Sequence, residues 1–183
     1  MKQRLLEIIA QQRTSGNATV VHEPVLRDGE GEVMRSGPLD IPMRVDIVLA
    51  KDGEVIDSIN VDTEEMLSFE PFEFTWPDNG LAVRVEPFQW NWLQVQTTAN
   101  PEPDHWHAIR DWYLKWVGED DPTIDQVAGA VHFLDDPRVD GDAIQFTMDL
   151  GTSPVECLEE LFDALGKFGA PTVRLPQFAE TET

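Results

Sequence analysis

The sequence predicts an α+β fold, with a mainly antiparallel β-sheet and about three helices, and two observations carry that expectation. Short β-branched runs flank turn signals such as Asp52-Gly53 and Asn79-Gly80, the pattern of antiparallel hairpins. Three other stretches carry apolar residues at i, i+3 and i+4, the period of a helix with one buried side.

In chain order, Leu5, Leu6, Ile8 and Ile9 fall on one side of a wheel and predict a first helix from about Lys2 to Arg13, ended by Thr14-Ser15-Gly16-Asn17. Residues 18–26, ATVVHEPVL, read as a strand, with turns at RDGEGE and at Ser36-Gly37-Pro38. The runs IPMRVDIVLA and EVIDSINVD form a hairpin around Lys51-Asp52-Gly53, and a second hairpin is built around Pro77-Asp78-Asn79-Gly80. After Glu86-Pro87 the apolar positions switch from odd to even, as Phe88, Trp90 and Trp92, before Leu93 and Val95 restore the odd set. Proline donates no ladder hydrogen bond, so a bend at Pro87 returns this aromatic comb toward the core side. Pro101 to Pro103 opens a helix to about Val117, with Gly118 as its stop and Trp106, Ile109, Trp112, Tyr113 and Trp116 as its stripe.

Beyond it come a short helix or turn from Thr123, a strand at 130–134, a turn through 135–142, and a strand at 143–150. Ser153 as N-cap, Pro154 at N1 and Glu156 at N3 make a capping box for a helix ended by Gly166 or Gly169, and residues 171–175 are the last strand. This C-terminal β-hairpin-α-β unit resembles half of an α/β plait. A chain of 183 residues folded as one unit buries roughly 70% of its unfolded surface. The expectation is one domain over residues 1–176, with a possible sub-boundary near 98–104, and a flexible C-terminal tail over 177–183.

The charge balance narrows the partners. Thirteen basic residues against 35 acidic ones give −22, split as −9 up to Thr98 and −13 after it, so the charge is not confined to a tail. Such a field repels nucleic acid and anionic lipid, which bind through neutralisation of phosphate, and it attracts basic proteins. Salt adaptation, with only four lysines, is the alternative source of the same charge. A single cysteine, Cys157, excludes an intramolecular disulfide scaffold. No window approaches the length of a membrane span, and the start lacks the small-residue cleavage site of a signal peptide, so the sequence suggests a cytoplasmic protein.

Chemistry-bearing motifs are sparse. Cys157 sits in the first turns of its helix, but Glu156, Glu159 and Glu160 favour the protonated thiol. His105 and His107 are two apart and cannot share a ligand on one helix face. His22 and His132 lie in predicted strands, where either could join a site only in three dimensions. The turn starting at Asp136 places Gly141 sixth, as an EF-hand loop requires, but Arg138 third and Thr147 twelfth, so that template fails. No phosphate-binding loop, dinucleotide fingerprint or nucleophile elbow is present, and no catalytic residue, metal ligand set or cofactor is expected.

The expected function is therefore an acidic protein-binding module, an inhibitor of the immunity-protein or antitoxin type that neutralises a basic partner protein. Its contact residues would be the aromatic anchors Trp90 and Trp92 with Glu119, Asp120, Asp121, Asp135, Asp136, Asp140 and Asp142. The alternatives are a nucleic-acid mimic that blocks DNA-binding proteins, and a small enzyme or ligand-binding protein whose site the sequence does not display.

Overall fold

A computed structural model of the protein describes residues 2–15, 19–52, 54–61, 66–99, 101–118 and 129–177. It is an α+β protein with three helices and mostly antiparallel sheets, as the patterning predicts. None of these helices is long and apolar enough to cross a membrane.

The N-terminal part begins with α1 (Lys2–Ser15), followed by β1 (Thr19–His22), β2 (Arg35–Ser36), β3 (Ile41–Pro42), β4 (Ile47–Lys51) and β5 (Glu54–Ile59). The hairpin expected around Asp52 is β4 with β5, and β1 pairs with β4 on its other side, giving a three-stranded sheet. Leu5 and Ile9 of α1 pack on Val20, Ile47 and Val61 to form a small core of their own.

The larger part holds β6 (Met66–Leu67), β7 (Phe72–Thr75), β8 (Ala82–Val85), β9 (Phe88–Gln89), β10 (Leu93–Thr98), α2 (Trp106–Val117), β11 (Phe133–Leu134), β12 (Arg138–Asp140), β13 (Ala143–Asp149), α3 (Val155–Phe168) and β14 (Thr172–Leu175). Seven of these strands form one sheet in the order β11-β13-β10-β14-β8-β7, with β12 also paired to β13; only the β14–β8 pair is parallel. Val83, Val85, Val95, Ile144, Phe146, Met148, Val173 and Leu175 alternate onto one face, where α2 and α3 cover them. The indole of Trp112 ties the two helices together by donating to the Cys157 carbonyl at 3.0 Å.

Two expectations change. The α3 cap is not the anticipated box: the helix starts at Val155 after Pro154, and Ser153 Oγ donates at 2.6 Å to the carbonyl of Leu150. That carbonyl, one residue beyond β13, also accepts from the Ser153 amide at 3.0 Å, so residues 150–153 close as a turn that engages the hydroxyl ahead of the helix. The aromatic comb also does not exist as one face, because the chain turns at Trp90 and Asn91 and Gln89 bridges to Trp92. Phe88 is buried and stacks on a half-buried Trp90 at 6.4 Å, while Trp92 is left 44% exposed. Alternation holds only in an extended strand, and β9 is two residues long.

Candidate functional site

Where the small sheet meets the large one, four strand ends bring ionisable side chains together. Glu23 follows β1 and Asp46 precedes β4, and the Glu23 amide donates to the Asp46 carbonyl at 2.7 Å, one step beyond the β1–β4 ladder. His132 precedes β11 and Asp149 ends β13, and the His132 amide donates to the Asp149 carbonyl at 2.9 Å. The carbonyl of His132 accepts from the Arg44 amide at 2.9 Å and from the Tyr113 hydroxyl at 3.2 Å. The backbone of His132 is therefore held on both sides, which sets where its side chain starts.

Its ring is 2% exposed, and carboxylates meet both nitrogens. Nε2 lies 2.9 Å from Glu23 Oε1, and Glu23 is fully buried. Nδ1 lies 3.1 Å from Asp46 Oδ1 and 3.6 Å from Asp149 Oδ2. Thr152 sets the polarity of the network. Its hydroxyl oxygen accepts from the amides of Gly129 and Ala130 at 3.0 and 3.4 Å, so its proton goes to Glu23 Oε1. Glu23 then acts as the acceptor of both Thr152 and Nε2–H, which assigns the Nε2 proton and turns Nδ1 toward the two aspartates.

Electrostatics follow from that count. Burial alone lowers the pKa of His132, but the adjacent carboxylates of Asp149, Asp46 and Glu23 outweigh it and hold the imidazole well above its ordinary range. Arg44, also buried, donates to the carbonyls of Val117 at 2.5 Å, Glu23, and Gly118 at 3.5 Å. Asp46 Oδ2 accepts from the Val61 amide at 2.5 Å, but Oδ1, near Nδ1 yet not aligned with it as a hydrogen bond, has no donor among the described residues.

A pocket of about 210 Å³ opens onto this cluster. Arg44, Asp46, His132 and Asp149 line it together with Asn60, Val61 and Asn91, and the half-exposed indole of Trp92 stands at its edge. A larger concavity, about 870 Å³, lies on the opposite side of the large sheet from α2 and α3. Its charges are mostly spent on one another: Arg84 pairs with Glu73 and Glu86, and Arg174 with Glu86, at 2.8 to 3.0 Å. Reactive groups converge at the small pocket, and that is where the candidate site lies.

Of the residues expected to bind a partner, Trp92 is on this surface and Trp90 is half-buried behind it. Asp140 and Asp142 are exposed at the Ala143 end of β13, whereas Trp92 adjoins the Asp149 end. Along six residues of strand that is about 20 Å, so the structure does not bring the two sets together. Asp135 and Asp136 lie between these ends, and Glu119, Asp120 and Asp121 are outside the described residues. The sequence reading missed Glu23, Asp46 and Asp149, and named His132, with His22, as a strand histidine that could join a site in three dimensions. Comparisons with protein-family models, with curated proteins and with solved structures found no match.

Proposed function

We propose that the protein is an acidic binding module that takes a positively charged group into the carboxylate-floored pocket beside Trp92. The observation that carries this reading is the buried Asp46 Oδ1, which has no donor among the described residues and lines the pocket together with Asp149. A buried carboxylate oxygen without a donor carries a desolvation cost of about 1–3 kcal/mol, and an incoming cation relieves it. The net charge of −22 steers such a group to the molecule, and an exposed indole at the pocket edge adds cation–π attraction. A lysine or arginine side chain of a basic partner protein has this chemistry, which keeps the inhibitor-type partner of the sequence reading within the proposal.

Fluorescence titration with a lysine-rich peptide tests it. Binding should change the part of the indole emission that is absent in Trp92→Phe, and Trp92→Ala should weaken binding by about tenfold or more, the usual scale for a contact anchor. If neither peptides nor inorganic cations change that emission, the reading is wrong.

A further inference from the structure

The arrangement around His132 distinguishes between kinds of positive charge. An ammonium or guanidinium group needs acceptors arranged around its N–H bonds. A metal ion instead needs lone pairs pointing at one position, and a carboxylate behind the histidine to hold its tautomer. The second description fits. Glu23 holds Nε2–H, so Nδ1, which offers its lone pair once its proton has left, faces Asp46 and Asp149, and their candidate ligand atoms lie within 4.8 Å of each other. Around a cation with bonds of about 2.0–2.2 Å, neighbouring ligand atoms are separated by roughly 3.0–3.5 Å. The separation of 3.1 Å to Asp46 lies at that spacing and that of 3.6 Å to Asp149 just beyond it.

Two buried oxygens give the site a further, independent mark. Asp46 Oδ1 has no donor among the described residues, and Asp46 is only 6% exposed. Asn91 Oδ1, on the wall of the same pocket, is likewise buried without a donor. Coordination satisfies the first of these. Water held on the cation's pocket side supplies a donor for the second.

We infer that Asp46, Asp149 and His132 Nδ1 form a binding site for one divalent first-row transition cation, with Glu23 and Thr152 orienting the histidine from behind. One nitrogen and two carboxylate ligands, without thiolate, suit zinc, manganese, iron or cobalt better than calcium or magnesium, which prefer all-oxygen sites. On binding, the cation takes the place of any proton on Nδ1, and that proton leaves to solvent. Three protein ligands leave coordination positions open toward Trp92, the arrangement of sites that go on to bind a further ligand. This inference rests on the reading that the pocket accepts positive charge.

Calorimetric titration of chelator-treated protein with zinc chloride and with manganese chloride tests it, alongside the lysine-rich peptide titration. One cation per chain is expected to bind. Asp149→Asn should bind about 10- to 100-fold more weakly with an unchanged circular-dichroism spectrum, and Glu23→Gln should lose a similar factor through the histidine. Asp149 is the better ligand variant because its side chain is 22% exposed and the amide can still accept from Gly151. A cobalt complex whose visible bands change in His132→Gln, or in Asp149→Asn if the former does not fold, would identify the ligands. Binding that is absent, that exceeds one cation per chain, or that is unchanged in Asp149→Asn overturns the metal inference. Should metals fail while the peptide still perturbs Trp92, only the metal inference falls; should both fail, the cation pocket falls with it.

Discussion

Replacing Gly151 with alanine puts a methyl group where the structure has no room for one. A Cβ at this position would lie 2.4 Å from the Ala130 carbonyl oxygen and 2.5 and 2.6 Å from Cδ2 and Nε2 of His132. Gly151 also has φ +52°, so alanine carries a backbone cost of about 1–2 kcal/mol before any contact is counted. The imidazole must give way, and moving it off Glu23 forfeits a charge-assisted hydrogen bond of about 1.5–3 kcal/mol. The combined loss is about 2.5–5 kcal/mol, which for a chain of this length lowers Tm by roughly 5–20 °C. Gly141→Ala is the control: its φ is +63° and nothing lies within 4 Å of the added Cβ. It should lose only the backbone cost, about 1–2 kcal/mol. Thermal unfolding of both variants, followed by circular dichroism, separates collision from strain. If Gly151→Ala costs no more than Gly141→Ala, the packing around His132 is not as described.

Three further outcomes are expected. Arg174, then Arg84, then the Gln177 amide hydrogen-bond Glu86 and bring its pKa down to about 2, so its contribution to stability is present above the unfolded value near 4.3 and lost as pH falls toward 2. The stability difference between wild type and Glu86→Gln should accordingly be constant at neutral pH and shrink across that acidic window, in urea melts at a series of pH values. Burial pushes the Cys157 thiol up to about 12, so a thiol reagent at pH 8 should leave it unmodified until denaturant is added; prompt labelling of the native protein would contradict its packing. Trp112→Ala should cost about 3–5 kcal/mol in urea unfolding and Trp92→Ala less than about 1, because one indole is 5% exposed and the other 44%.

The sequence patterning located most elements for reasons visible in the fold. Asp52 adopts φ +54° in the β4–β5 turn, the conformation that Asp-Gly dipeptides favour, and α2 stops at Gly118. Local chemistry decided those positions, so local reading found them. Ser153 and the comb at 88–92 were misread because a turn settles each of them: the Ser153 amide and hydroxyl both bond back to the Leu150 carbonyl, and the turn at Trp90 broke the alternation. The site was not legible, since Glu23, Asp46, His132 and Asp149 come from four separate strand ends and no spacing rule links them. One signal was present: each stands among apolar neighbours, in VVHEPV, MRVDIV, AVHFL and TMDL. An ionisable residue inside an apolar strand either faces solvent or is buried with partners, and only the fold tells which.

Magnetic resonance of the ring nitrogens in isotope-labelled histidine tests the central claim most directly. Adding zinc or a lysine-rich peptide should shift the Nδ1 resonance of the buried ring assigned to His132 by its proximity to Thr152, in proportion to occupancy, and leave the exposed His105 unchanged. A His132 resonance that stays fixed while His105 and His107 respond would place positive charge on the surface alone and contradict the pocket.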